Sequence, residues 1–250
     1  MIEVSGLTKR YRDLTAIEDL SFQVSKGEVL GFLGPNGSGK STTMRILTGF
    51  QPATSGTAKV AGFDVFEKPL EVKRRVGYLP EIPPLYPDMT IKAYLRFVAD
   101  LKGVPKKQMA DEVDRVAQAT HVDHVMDRLI ANVSKGYKQR VGIAQALIGS
   151  PDILILDEPT VGLDPSQILE VRELIRSFKG KHTVILSTHI MQEVVATCDS
   201  VLVIARGRLR ARDTLEALQE KHPGKSLEEI FLELTSDVRT EPADGKSQAA

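Results

Sequence analysis

Glu28-Val29-Leu30-Gly31-Phe32-Leu33 is a short apolar run, Gly34-Pro35-Asn36-Gly37-Ser38-Gly39-Lys40-Ser41 a glycine-rich turn, and Thr42-Thr43-Met44-Arg45-Ile46-Leu47 the start of a helical pattern. Strand, turn and helix in that order predict a phosphate-binding loop. Glycines at Gly34, Gly37 and Gly39 let the backbone bend so that successive N–H groups and a helix N-terminus converge on anionic oxygens. In this pattern Lys40 reaches the β- and γ-phosphates of a nucleotide and Ser41 binds Mg²⁺, while Pro35, Asn36, Ser38 and Thr42 complete the cradle.

Composition narrows the class around that loop. The chain has 250 residues, enough for one large α/β domain or two small ones. Cys198 is the only cysteine, which excludes an intramolecular disulfide or a cysteine zinc cluster and fits a reducing compartment. It reads as a packing residue on a helix face. Positive and negative side chains balance at 33 each, so bulk charge makes no case for nucleic acid or an anionic membrane. Lys9-Arg10-Tyr11-Arg12 and Lys73-Arg74-Arg75 are short clusters that read as solvated surface. No apolar stretch approaches the roughly 20 residues that cross a bilayer, and Met1-Ile2-Glu3-Val4 lacks a signal peptide's apolar core. The expectation is a soluble or peripheral protein of the cytoplasm.

Alternating apolar residues at Ile2 and Val4, at Leu20, Phe22 and Val24, and at Ala58 and Val60 predict an antiparallel layer near the N-terminus. Three nearly continuous apolar runs, 29–33, 153–156 and 184–186, predict parallel strands buried on both faces. Between them, over 82–149, the periodicity is helical. Thr90 caps a helix carrying Ile91, Tyr94, Leu95, Val98 and Leu101 on one face, closed by Gly103 and Pro105. A second helix carries Val113, Val116 and Ala117, and a third begins near Ser134. A hairpin follows at 201–205 and 208–211, turning at Arg206-Gly207. Asp213 with Glu216 is a loose capping box and Ser226 with Glu229 a full one, opening a helix with an apolar stripe at Leu227, Ile230, Phe231 and Leu234. That stripe packs either on its own domain or on a partner. From Asp237 onward the composition predicts disorder.

Ile153-Leu154-Ile155-Leu156-Asp157-Glu158 delivers two carboxylates at the C-terminal end of a buried strand, where open α/β sheets bind ligands. Asp157 is the Mg²⁺-side carboxylate of a Walker B strand. Glu158 at the tip can orient and polarise a water attacking the γ-phosphate, the general-base role of a positioned carboxylate.

With these residues in place, the chain resembles the nucleotide-binding subunits of ABC transporters across nearly its whole length. The order of the motifs carries the likeness. Tyr11 stands where the family's aromatic stacks on adenine. Val133-Ser134-Lys135-Gly136-Tyr137-Lys138-Gln139-Arg140 resembles the signature motif, with Ser134 and Gly136 at a helix start suited to an anion. Gly162-Leu163-Asp164-Pro165 resembles the D-loop, although Asp164 followed by proline is also an ordinary helix start. Ser187-Thr188-His189 ends a strand as the switch histidine does, making His189 a γ-phosphate hydrogen-bond donor. Departures are Glu81 for the Q-loop glutamine, Lys135 for a glycine and Tyr137 for a glutamine. Glu81 could ligate the metal through oxygen, and it adds charge near the γ-phosphate.

The resemblance implies a P-loop NTPase core of α/β class, with a mixed sheet, the antiparallel layer and an inserted helical subdomain. It divides the chain into a core at 1–81 and 150–212, a helical subdomain at 82–149, a C-terminal helical extension at 213–236 and a tail at 237–250. It further implies an ATPase using ATP and Mg²⁺, with Lys40, Glu158 and His189 at the chemistry. Two copies, or this chain and a homologous subunit, would sandwich two ATP molecules and drive a separate transmembrane permease from the cytoplasmic face of the membrane. The features at 77–81 and 227–234 are most like exporters with separate permeases, including drug-resistance and gliding-motility types, and an importer stays open as the other direction. The alternatives are a soluble family member acting on ribosomes or DNA and a catalytically weak subunit for ATP-gated assembly. No nucleic-acid partner is expected.

Overall fold

A computed structural model describes residues 1–236. The disorder expected from Asp237 onward concerns residues outside that range.

Alternation of buried and exposed side chains pairs β1 (Ile2–Tyr11) antiparallel with β2 (Leu14–Val24), Ile2 opposite Val24 and Val4 opposite Phe22. β3 (Val29–Leu33), buried at every position, leads through the glycine-rich turn into α1 (Lys40–Leu47). β4 (Ser55–Val60) and β5 (Phe63–Asp64) complete an antiparallel sheet in the order β2-β1-β4-β5. The sequence reading placed no element at α2 (Pro69–Arg75) or at β6 (Val76–Leu79). Arg74 and Arg75 of α2 pair with Glu71 one turn earlier.

The helical stretch contains α3 (Ile91–Leu101), α4 (Met109–Ala119) and α5 (Lys135–Leu147). Thr90 caps α3, its hydroxyl accepting from Ala93 N at 3.1 Å, and Ile91, Tyr94, Leu95 and Val98 are buried as expected. Leu101 is a correction, being exposed. It is the last residue of α3 and, at about 100° per residue, falls about 20° past buried Tyr94, at the edge of the buried arc on the side of exposed Phe97. The C-terminus of α5 is closed by Lys102, whose ammonium donates to the carbonyls of Gln145, Ala146 and Ile148.

Then follow β7 (Ile153–Asp157), α6 (Pro165–Ser177), β8 (Thr183–Thr188), α7 (Met191–Thr197), β9 (Ser200–Ala205), β10 (Arg208–Thr214), α8 (Leu215–Lys221) and α9 (Leu227–Ser236). The larger sheet has the order β10-β9-β3-β8-β7-β6, parallel except for the β9–β10 hairpin. Both of its faces are covered. Ile153 and Ile155 join Leu30, Phe32 and Ile185 against the antiparallel layer and α1, whereas Leu154, Leu156, Val184 and Leu186 pack with the helices of the inserted stretch. Alternation along β7 therefore directs Asp157 to the face of Ile153 and Ile155, the side of α1.

The C-terminal helices differ from expectation at one cap. Thr214, not Asp213, caps α8 by accepting from Ala217 N, because β10 runs on to Thr214 and Asp213 pairs with Lys221. The box at Ser226 and Glu229 forms in both directions. Leu227, Ile230, Phe231 and Leu234 pack on α7, α8 and β9 around Val194, Val203 and Leu218, so the stripe covers its own domain. Cys198 follows α7 and packs between two core clusters, with burial pushing its thiol up to about 12. Truncating fully buried Ile230 to alanine should lower the unfolding free energy by about 2–5 kcal/mol, and the exposed Leu232→Ala by under about 0.5 kcal/mol. Urea melts of the two variants beside the parent chain check this.

Candidate functional site

The turn between β3 and α1 is the centre of the site. Its N-cap residue, Gly39, sits at φ 104°, a conformation that a side chain would strain, and gives α1 no side-chain cap. The first-turn N–H groups of α1 therefore lack an intrahelical or side-chain partner and point to where an anion is best held. Ser38 Oγ is buried with no partner in the same turn. Lys40, the first residue of α1, is buried and bends its ammonium over the turn, donating to the carbonyls of Gly34 at 2.8 Å and Pro35 at 3.3 Å.

A cavity of about 450 Å³ opens over this turn, lined by Asn36, Gly37, Ser38, Gly39, Lys40, Ser41 and Thr42 together with Tyr11, Glu81, Glu158 and His189. Residues far apart in sequence thus share one space. Glu158 follows β7 with its N–H donating to the Ser187 carbonyl at 2.9 Å. Its φ of 50° is left-handed, a costly setting for a non-glycine residue and one that clusters at functional sites. One carboxylate oxygen lies 3.4 Å from Lys40 Nζ and the other 2.9 Å from His189 Nδ1. A neutral His189 donating from Nδ1 keeps only an acceptor at Nε2, so a hydrogen bond from Nε2 to phosphate requires the imidazolium or the other tautomer.

Asp157 lies just below, buried, with Oδ1 accepting from Ser187 Oγ at 2.7 Å. Burial, and then the Asp157 carboxylate, push the phenol of Tyr78 up to about 12, so it stays neutral and able to donate.

Ser134, Gly136 and Asp164 do not line this cavity. Ser134 caps α5, accepting from Tyr137 N at 3.5 Å. Gly136 packs tightly against α6, since a Cβ there would strike the side chain of Gln167. Asp164 caps α6, accepting from Gln167 N at 3.0 Å and Ser166 Oγ at 2.8 Å, and these bonds hold its carboxyl below the usual range. The three residues form a separate surface at the paired starts of α5 and α6. The Lys135 ammonium lies against Gly162 there, and the Tyr137 hydroxyl is 2.9 Å from His124 Nε2.

Sequence reasoning missed Gln51 and Glu193. Tyr11 donates its hydroxyl to Gln51 Oε1 at 2.8 Å, and Gln51 Nε2 donates to the Thr42 carbonyl at 3.3 Å, so the ring is tied to α1. Lys9 Nζ sits 5.0 Å from the Tyr11 ring centroid. A glutamine in a loop carries no motif that would have found it. Glu193 is four residues past His189, a spacing that reads as an ordinary helix surface, yet it is buried.

Comparison with known proteins gives the family. The family described as ABC transporter matches residues 17–161. The ABC transporter ATP-binding protein NatA of Bacillus subtilis is 37% identical over 93% of this chain and 97% of its own length. The bacitracin transport ATP-binding protein BcrA of Bacillus licheniformis is also 37% identical, over 89% of this chain and 72% of its own. A solved ATP-binding subunit of an ABC transporter superposes with a TM-score of 0.84 at 32% identity, covering 94% of this chain and 99% of that one.

Stacking on an aromatic ring contributes about 1–3 kcal/mol per base, so Tyr11→Ala should raise the ATP dissociation constant roughly 5- to 150-fold. Gln51→Ala, which frees the ring without removing it, should raise it by less. Calorimetric titration with ATP measures both.

Proposed function

The chain belongs to the ABC transporter family, and on that premise we propose that it grips and hydrolyses ATP with the residues of the cavity while a second cassette and a membrane permease complete the machine. ATP binding and hydrolysis are the family's activity. The observation that carries the reading is the convergence of Lys40, Glu158 and His189, from three separate parts of the chain, on one phosphate-binding turn.

The donor set fits the ligands. The uncapped N-terminus of α1 and buried Lys40 suit the phosphates of ATP, and Tyr11 suits its base. Among the described residues no group of three or more His, Cys, Asp or Glu forms a metal cage. Mg²⁺ would therefore be held by few protein oxygens, those of Ser41, Asp157 and Glu81, together with phosphate oxygens, which is its habit in nucleotide sites. When bound, it would neutralise charge on the β- and γ-phosphates. Glu158 orients the attacking water and takes its proton, and His189 fixes the Glu158 carboxylate and faces the γ-phosphate.

Ser134 and Gly136 lie on a surface outside the chain's own cavity. A second copy or a homologous subunit, docked so that each α5 N-terminus faces the other's phosphate turn, would bring them to the γ-phosphate. This supports a sandwich of two cassettes around two ATP molecules. The segment from 82 leaves Ile82 83% exposed, with exposed Tyr86 edge-on to Phe97 at 5.6 Å and Leu101 further along α3. That apolar rim beside Glu81 suits a permease docking on the helical subdomain 82–149, linking nucleotide site to membrane partner. No helix among the described residues is long and apolar enough to cross a membrane. The location inferred is the cytoplasmic face of the membrane. The likeness to a protein named Nod factor export ATP-binding protein I, of Ralstonia nicotianae, 33% identical over 96% of this chain and 75% of its own length, supports an exporter.

Glu158→Gln should retain ATP binding, lose phosphate release, and run as an ATP-stabilised dimer in gel filtration. A monomer under the same conditions would sink the sandwich. Lys40→Ala should lose ATP affinity by at least about tenfold, because a buried phosphate charge loses its partner. Affinity purification of the tagged chain from detergent-solubilised membranes should bring down a multi-span protein in stoichiometric amount. Ribosomal proteins in its place would favour a soluble role.

A further inference from the structure

One buried acid has no part in the chemistry described above. Glu193, in the first turn of α7, is 1% exposed, and its carboxylate accepts from two hydroxyls, Thr160 Oγ1 on one oxygen and Thr188 Oγ1, at 2.6 Å, on the other. Burying a carboxylate on hydroxyl donors is costly compared with an apolar residue of the same size. What the acid gains is a bridge between two segments that are distant in sequence and adjacent in the site.

Both segments carry the hydrolysis groups. Thr160 lies two residues past Glu158, in the turn closed by Val161 N donating to the Glu158 carbonyl at 3.2 Å. Thr188 immediately precedes His189. Its hydroxyl also accepts from Ile190 N at 3.1 Å, so one side chain pins the backbone on both flanks of the histidine. Its carbonyl accepts from Gly34 N at 3.3 Å, a backbone bond of the sheet in which the Glu193 carboxylate takes no part. We propose that Glu193 is a positioning residue for ATP hydrolysis, clamping the Glu158 turn to the His189 turn through Thr160 and Thr188.

The clamp rests on the reading of Glu158 as the group that orients water. Its physical content is that Glu158 is held at an unfavourable φ and meets His189 at 2.9 Å only while the two turns keep their spacing. A single acceptor with two oxygens can receive both hydroxyls, and an apolar side chain can receive neither. The groups that bind nucleotide, Tyr11 and the phosphate turn, make no contact with the Glu193 carboxylate among its hydrogen bonds. Loss of the clamp therefore acts on turnover and spares binding.

The test is steady-state ATP hydrolysis and equilibrium ATP binding by the full chain and by Glu193→Ala, Glu193→Gln and Thr160→Val. Glu193→Ala should lower kcat roughly 10- to 100-fold, as expected when a reacting group is displaced by about 1 Å. KM and the ATP dissociation constant should stay within about twofold. Glu193→Gln keeps one carbonyl oxygen and should recover part of the rate. Thr160→Val, close to isosteric, cuts one tie and should lower kcat several-fold even where the alanine variant fails to fold. In a His189→Ala background, Glu193→Ala should add little further loss, since the two act through one unit. A kcat unchanged in both Glu193→Ala and Thr160→Val would overturn the clamp, as would equal losses in Glu193→Ala and Glu193→Gln that track a lowered melting temperature. Turnover that survives Glu158→Gln would overturn the hydrolysis reading and the clamp with it, whereas turnover lost in Glu158→Gln but intact in the Glu193 variants overturns the clamp alone.

Discussion

Everything at the nucleotide site depends on the register of three parallel strands. Leu33 of β3 lies opposite Thr188 of β8, and Ser187 of β8 lies opposite Asp157 of β7. The strands end level, so the chain leaves the sheet at three adjacent points. Two backbone bonds continue the ladder past the strand ends, Gly34 N to the Thr188 carbonyl and Glu158 N to the Ser187 carbonyl. Because a slip of one residue would turn every side chain to the opposite face, the buried apolar runs that fix this register also fix where Lys40, Asp157, Glu158 and His189 meet. The hairpin of β9 and β10 adds a buttress, with Gly207 N donating to the Ser38 carbonyl and Glu18 N to the Gly207 carbonyl.

The strand ends are also where the fold gives up stability. Lys40, Asp157, Glu158 and Glu193 are all buried, and a buried charge stabilises only when paired and hydrogen-bonded. Each has partners here, but exchanging such pairs for apolar residues would often leave a chain equally stable. The cores on the two faces of the sheet, built from Ile153, Ile155 and Phe32 on one side and Leu154, Leu156 and Leu186 on the other, carry the stability that allows it. A left-handed Glu158 between them is tolerated because the strands on which it rests cannot shift.

The legible part of this architecture is the part written in local patterns. Glycine spacing around Lys40, apolar runs ending in Asp157 and Glu158, and caps at Thr90 and Ser226 each express a constraint that acts over a few residues, and the structure forms all of them. Signals failed where the constraint was tertiary. β6 was missed because Val76-Gly77-Tyr78-Leu79 is too short for a pattern of its own and becomes a strand by pairing with β7. Leu101 obeyed helical spacing but lay beyond the arc that its neighbours cover. The cap of α8 moved by one residue because a strand held Asp213. In the site, Tyr11 and His189 were found through motif order, whereas Gln51 and Glu193 carry no local signal and are recognisable only from what they touch.

That difference follows the division of labour in the molecule. In the proposed function, grip on a nucleotide would come from a short continuous segment, the phosphate turn and the N-terminus of α1, supported by one tied aromatic ring. It can be specified locally. Alignment of the proposed hydrolysis groups would require Glu158, Thr160, Thr188, His189 and Glu193 to agree across two strand ends and a helix, so it would be specified by the sheet. The surface formed by Ser134, Gly136 and Asp164 is one step further removed, since it lies outside the cavity of its own chain. In the proposed sandwich, binding would be a property of one turn, alignment of one sheet, and completion of the γ-phosphate environment of two chains. Such a hierarchy allows ATP to be bound before it can be hydrolysed, which a machine coupling hydrolysis to a partner's movement requires.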